Sequence, residues 1–278
     1  MKTYSASHRA RIAITCLQVR GIGIAKVRTL LRQTSHGLDE ATASEQLRID
    51  PENWAVATSD MEQVIDSSIA LGLSIAVLGD DYYPQALASI DDPPPVLYGR
   101  GDWDALSPPC IAVVGTRDCT EAGSSAAFEI GRRLTSSGYC VVSGLALGID
   151  TFAHEGALAG KGPTVAVLAH GLDRVSPTSN TALAEAILSA GGLLVAEHPP
   201  GFPPRPPEFV RRNRIQSGLS RASVVVESGA SGGAIHQGRF TANQGRKLLV
   251  VRSNKPDSPL KQEGAEVLMA ELGATPVY

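Results

Sequence analysis

The sequence predicts a doubly wound α/β fold, with a parallel sheet in the later part of the chain and a small helical region before it. Three observations carry this. Beyond residue 109, short continuous apolar runs alternate with helix-length stretches, the pattern of strands buried on both faces. Up to about Ala70 the apolar residues instead recur at helical spacing. Between the two, Pro108-Pro109 marks a boundary, because consecutive prolines fit neither a helix interior nor a central strand. The expected organisation is a helical region over 1–70, a connecting segment over 71–108 and the sheet domain over 109–278.

In the helical region Ile12, Leu17 and Val19 precede Val27, Leu30 and Leu31, with further helices expected over 41–47 and 61–70. Residues 73–78 read as a short strand, after which Asp91-Asp92-Pro93-Pro94-Pro95 leads into Val96-Leu97-Tyr98. Strands are then expected over 110–114, 139–143, 164–168, 193–196, 223–226 and 247–251. The helices between them are expected over 124–137, 150–159, 180–190 and 233–244.

Four segments carry chemistry. Val113-Val114-Gly115-Thr116-Arg117 closes the first strand of the sheet domain just before a helix. Glycine there lets a ligand approach the backbone, and the helix offers free N–H groups to an anion. The segment has neither the GxGxxG spacing of a dinucleotide loop nor a Walker lysine, so it reads as a phosphate loop with an arginine attached or as a tight turn. Ser143-Gly144-Leu145-Ala146-Leu147-Gly148-Ile149-Asp150, with His154, follows the second strand and widens the same cleft. Ser143, Asp150 and His154 suggest a hydrolase only superficially. Ser143 lacks a nucleophile elbow, and a hydrogen bond within the helix or a cap is the simpler role for the other two. No catalytic residue is expected.

In the third segment Arg205, Arg211, Arg212, Arg214 and Arg221 crowd into 17 residues, with only Glu208 opposing them. Guanidinium forks match phosphate oxygens and stack on bases, which suits single-stranded nucleic acid, and Asn213 adds an amide. Phe209 is a core plug or a stacking platform, and the core role is favoured. The fourth segment, Gly21-Ile22-Gly23 followed by Lys26, has the form of a helix-hairpin-helix, whose turn offers N–H groups to a phosphate. A plain helical turn is the alternative.

The chain has 278 residues, 43% apolar and 19% charged. Its net charge of −3 hides an asymmetry: residues 1–108 hold 9 basic and 14 acidic side chains, residues 109–278 hold 16 and 14. A local basic patch still binds polyanions on such a protein, because surface fields decay over about 8–10 Å in physiological salt. Cys16, Cys110, Cys119 and Cys140 are scattered without metal-ligand spacing, so neither zinc nor a disulfide framework is expected. With no apolar run of membrane-spanning length and no signal-peptide core, the expectation is a soluble cytoplasmic protein without a membrane role, metal or cofactor.

Taken in order, these motifs resemble the DNA-processing protein A (DprA, or Smf) family. The stretches concerned are the Gly21-Ile22-Gly23 hairpin, Leu78-Gly79 with Tyr83-Pro84, Asp92 to Tyr98, Gly115-Thr116-Arg117, Ser143 to Asp150, Gly171-Leu172-Asp173, Arg211 to Ile215, and Val225-Val226-Glu227 with Ser231-Gly232. The resemblance implies a sterile-alpha-motif-like helical domain joined to an extended Rossmann fold. It also implies a non-catalytic protein that binds single-stranded DNA as a homodimer and loads the RecA recombinase during natural transformation. By motif, the DNA pocket would comprise Gly115, Thr116, Arg117, Ser143, Gly144, Arg211, Arg212, Asn213 and Arg214, with a secondary contact at Gly21, Gly23 and Lys26.

The sequence also departs from the family pattern. Thr116 replaces a serine, Ser176-Pro177 replaces Tyr-Pro, and Ala196-Glu197 replaces Ser-Glu. Arg252-Ser253-Asn254-Lys255 replaces Pro-Gly, and the winged-helix extension of many members is not expected. These changes bear on RecA loading and allow a divergent role as the partner of a toxin in a phage-defence pair. A nucleotide phosphoribohydrolase of the LOG type is a further alternative, weakened because no glutamate stands at the required spacing after Ser231-Gly232-Gly233-Ala234.

Overall fold

The computed structural model describes residues 6–34, 38–254 and 258–278. Four helices come first: α1 (His8–Gln18), α2 (Ile24–Gln33), α3 (Glu40–Leu47) and α4 (Pro51–Ala70). Three of them begin at a residue whose side chain accepts a backbone N–H, namely Ser7, Asp39 and Asp50. Asp50 followed by Pro51 starts α4 ten residues before the expected 61–70, and Trp54 and Ala57 continue its buried face.

The remaining elements, in chain order, are β1 (Ser74–Val77), α5 (Gln85–Ala88), β2 (Val96–Gly101), β3 (Cys110–Val114), α6 (Glu121–Ser136), β4 (Cys140–Ser143), α7 (Ile149–Ala159), β5 (Thr164–Leu168), α8 (Thr181–Ser189), β6 (Leu193–Ala196), α9 (Pro206–Leu219), β7 (Ala222–Val225), α10 (Gly233–Asn243), β8 (Lys247–Val251), α11 (Glu263–Leu272) and β9 (Thr275–Val277). Among the described residues they form a nine-stranded sheet of order β1-β2-β6-β5-β4-β3-β7-β8-β9. Strands β3 to β9 are mutually parallel. The segment 71–108 supplies β1 and β2, which extend the sheet antiparallel past β6, with Tyr98 opposite Ala196.

From β3 the chain winds outward through β4, β5 and β6, then returns to the other side of β3 to lay down β7, β8 and β9. That reversal opens a crevice outside the carboxyl ends of β3 and β7, where open α/β sheets bind ligands. One buried cluster runs from Ile14, Leu30 and Ile65 of the helical region to Val77, Leu97, Val167 and Val195 of the sheet. A second joins Val113 to Ala127, Ile149 and Ala153, and a third joins Val225 and Val250 to Ile235 and Leu268. Each fully buried Ile or Leu contributes roughly 1.5–3 kcal/mol. Among the described residues no helix is long and apolar enough to cross a membrane.

Candidate nucleic-acid interface

A cleft of about 560 Å³ lies at the β3/β7 reversal. Its floor is the loop after β3, from Gly115 to Asp118, and its far wall is the loop from Ser228 to Gly233 that leads into α10. The near wall is one face of α9: Phe209, Arg212, Asn213 and Gln216. These positions follow the helical repeat, so they project to one side. Ala146 and Asp150 close the end beside β4.

At the mouth, Arg117 Cζ stands 5.2 Å above the centre of the Phe209 ring, and Arg117 makes no ion pair among the described residues. A cation over a ring face is held without being neutralised, so its charge stays available to an anion. Phe209 is therefore a platform at the cleft, against the expectation of a core plug.

Behind Arg117 lies Arg212, almost wholly buried. Its Nη1 donates to Gly144 O at 2.9 Å and to Val167 O, and its Nε donates to Asn213 Oδ1 at 3.2 Å. Burial lowers its pKa to about 10, opposed by Asp150 and reinforced by Arg117, so it carries its charge at neutral pH. A side chain at Gly144 would put its Cβ 2.2 Å from Arg212 Nη1. Gly144 is thus the seat of the buried guanidinium, and it also lines a smaller recess of about 110 Å³ that shares Arg117, Ala146 and Phe209 with the cleft. Gly115 likewise lacks a side chain because Ile149 Cγ1 lies 2.5 Å from where its Cβ would be. Asp150 Oδ2 accepts from Gly144 N at 3.0 Å, tying the loop after β4 beneath the arginine.

The expected catalytic look-alikes are spent on structure. Ser143 Oγ donates to Val113 O at 2.7 Å, and His154 Nδ1 lies 2.7 Å from Thr164 Oγ1, so neither bonds to the other or to a common substrate position. The expectation of a hydrogen bond within the helix or a cap for Asp150 and His154 is corrected: Gly148 stands at the cap, Asp150 bonds backward to the loop, and His154 bonds sideways to β5.

The four basic and amide positions of the Arg211 to Arg214 run do not converge. Arg212 and Asn213 face the cleft, whereas Arg211 and Arg214 lie on the opposite side of α9. Arg214 is 1% exposed, with Nη2 donating to Glu197 Oε2 at 2.6 Å and Nε 2.9 Å from Asp92 Oδ2. Its expected role as a phosphate contact is corrected, because both carboxylates already claim it. Arg211 lies 3.8 Å from Glu197 and 4.0 Å from Glu208. Glu197, His198 and Glu208 cluster closely enough to hold a cation by geometry, but these arginines neutralise both carboxylates. Gly21, Gly23 and the exposed Lys26 sit at the turn between α1 and α2 and do not line the cleft. Of the Arg252 to Lys255 run, Lys255 lies outside the described residues.

Sequence reasoning missed Glu227 as an anchor. Buried at the end of β7, it accepts from Thr120 N and from Lys261 N, each at 2.9 Å, and so fixes the loop that carries Thr116 and Arg117. It also missed Gln216 and Gln237, both on the cleft wall. Their only signal was helical spacing from Arg212 and from Gly233.

A family model described as DNA recombination-mediator protein A matches residues 74–278. Protein Smf of Synechocystis sp. is 40% identical over 215 residues, 71% of this chain. The match spans about half, 54%, of the length of that relative. The X-ray structure of DNA processing protein A from Streptococcus pneumoniae is similar with a TM-score of 0.78 and 29% identity, over 98% of this chain and 94% of that one. A structure of DNA processing protein A from Helicobacter pylori, described for its mode of binding single-stranded DNA, is similar with a TM-score of 0.64 and 28% identity, over 73% of this chain and 91% of that one.

Proposed function

The chain belongs to the DNA recombination-mediator protein A family, and on that premise we propose that its cleft binds single-stranded DNA, without catalysing a reaction on it. The observation that carries the reading is the pair of guanidiniums at one strand-end crevice, Arg117 unpaired at the mouth and Arg212 charged behind it. The Helicobacter pylori relative, described as a single-stranded DNA binder, supports the choice of ligand. Arg117 meets a phosphate, Gly115 and Thr116 border its path on the loop after β3, and Asn213 borders it from α9. Ser143 acts beneath the surface by bonding to β3, and Gly144 seats Arg212 at the edge of the recess beside Arg117. A single strand suits the cleft because an unpaired backbone can bend into a recess and rest a base on Phe209.

The employment of Ser143, Asp150 and His154 in structural hydrogen bonds supports a binding role rather than hydrolysis. Assembly as a homodimer, delivery of the strand to a RecA recombinase and a cytoplasmic setting belong to the same reading. So does a second contact at the Gly21 to Gly23 turn, where α2 begins without a side-chain cap and Lys26 is exposed.

Anisotropy of a labelled oligothymidylate, titrated at several salt concentrations, tests the proposal. Affinity is expected to fall linearly on a log–log plot with a slope of about −0.7 per phosphate neutralised. Arg117→Ala is expected to lose about tenfold, as for a charge-assisted contact, with an unchanged melting temperature. Salt-independent binding, or full affinity in that variant, overturns the reading.

A further inference from the structure

Charge divides the helical region in two. Residues 6–34, which hold α1 and α2, carry six Lys and Arg and no Asp or Glu, whereas residues 38–108 carry two against 14. Arg9 is bound to main-chain carbonyls. Of the others, Arg20, Lys26 and Arg32 are exposed and Arg28 is half-buried. Among the described residues none of these four lies within 4 Å of a carboxylate. At about 100° per residue, the exposed arc of α2 runs from Arg28 through Arg32 to Lys26 and bears no acidic side chain. Arg28 Nη1 donates to Asp91 O at 3.1 Å and Arg32 Nη2 to Ile90 O at 2.8 Å, contacts that place the guanidiniums without neutralising them. Burial lowers the Arg28 pKa; Asp92 opposes this, and Arg214, Arg32 and Arg211 add to it, so three guanidiniums crowd Arg28 against one carboxylate. That carboxylate is itself engaged by Arg214.

We propose that the exposed arc of α2, with Arg20 ahead of it, binds the phosphate backbone of duplex DNA, so that the chain receives a junction: the unpaired strand in the cleft and the flanking duplex on α2. The topology puts both surfaces at one end of the molecule. Strand β2 runs antiparallel to β6, so its start, just after the Ile90 and Asp91 carbonyls that anchor α2, lies at the carboxyl edge of β6, the edge on which the cleft opens. Four strand steps separate β2 from β3, about 19 Å at roughly 4.8 Å each. The chemistry selects the duplex. Single strands are held largely by bases stacked on aromatic rings, and residues 6–34 contain no Phe, Tyr or Trp. A duplex keeps its bases stacked inside and turns its phosphates outward, about one charge per 1.7 Å of axis. A convex cationic helix meets those phosphates without reading sequence.

The junction rests on the single-stranded DNA reading of the cleft, and one experiment separates the two. The full chain is titrated against labelled oligothymidylate and against the same oligothymidylate joined to a blunt duplex. Wild type is expected to bind the joined substrate about tenfold more tightly, with an added salt slope of about −0.9 per duplex phosphate neutralised. Arg20→Gln/Arg32→Gln is expected to erase that gain and its added slope, while the oligothymidylate affinity holds. Arg20→Lys/Arg32→Lys keeps the charges and is expected to retain most of the gain. Arg20→Glu, at an exposed position, gives the same test where the double variant does not fold. Equal wild-type affinity for the two substrates overturns the duplex face and leaves the cleft reading standing. A gain that survives in Arg20→Gln/Arg32→Gln, or an equal loss on both substrates, overturns it too. Binding of the joined substrate without binding of the oligothymidylate overturns the cleft reading and leaves the duplex face standing.

Discussion

At the residue scale the cleft depends on charges kept inside the protein by backbone. Arg212 keeps its guanidinium by donating to two carbonyls at the ends of β4 and β5, with Asp150 nearby. The same positive centre acts on His154. Thr164 Oγ1 donates to Val141 O at 2.9 Å, so it accepts from His154, and the ring carries its proton on Nδ1. Burial, reinforced by Arg212, pushes the His154 pKa down to about 3. The sign follows. Between the unfolded value near 6.5 and about 3, the unfolded chain binds a proton that the folded chain refuses, so stability falls as pH falls, by up to about 1.4 kcal/mol per unit. Asp150, whose carboxyl burial raises, works in the opposite direction. The control is therefore His154→Asn, which keeps a donor near the Nδ1 position and leaves Asp150 in place. Urea unfolding between pH 4.5 and 7 is expected to show a shallower acid-side decline for this variant. Identical slopes would mean that His154 is charged in the fold.

At the element scale, α9 is a helix with two jobs. One face lines the cleft through Phe209, Arg212, Asn213 and Gln216, while the other locks Arg214 between Glu197 and Asp92. The two functions are expected to separate on mutation. Arg214→Met leaves the 5% exposed Glu197 side chain without its closest cation and should cost about 3–5 kcal/mol in urea unfolding. The affinity of the folded fraction for oligothymidylate should stay within about twofold, since Arg214 does not reach the cleft; a tenfold loss at matched folding would place it in the interface after all. Nothing in the composition of residues 206–219 marked them as a helix, because the segment is polar and opens with two prolines. Its arginines therefore looked like one cluster, although helical geometry sends Arg212 and Arg214 to opposite sides. By contrast, β3 to β8 were legible, since each is a run of four or five residues, mostly apolar, and β3 to β7 are buried on both faces while β8 buries Leu248 and Val250 on one. The joining of β1 and β2 to β6 was not, because antiparallel pairing across a hundred residues leaves no local trace.

At the scale of the whole molecule, the question is whether helices and sheet stand or fall together. The buried cluster that starts at Ile14 continues without a break to Val195, so unfolding the helical region would expose β1 and β2. A single arginine reinforces that seam. Arg9 Nη2 donates to Leu31 O at 2.7 Å and to Leu78 O at 3.0 Å, Nη1 donates to Thr34 O, and Nε lies 3.4 Å from Asp80. It thus ties α1 both to the end of α2 and to the end of β1. At the latter, Gly79 is a glycine partly because its Cβ would stand 2.8 Å from Arg9 Nη2. A common core predicts one calorimetric transition, with equal calorimetric and van't Hoff enthalpies. Arg9→Met strands three carbonyls and the half-buried Asp80, a loss of about 2–4 kcal/mol. In a chain of this length that lowers the melting temperature by roughly 5–10 °C while the transition stays single. Two resolved transitions in the wild type would mean that the apolar seam is too weak to couple its sides. Residues 1–70 would then act as a domain of their own, and the cleft would be free of any influence from the hairpin at Gly21.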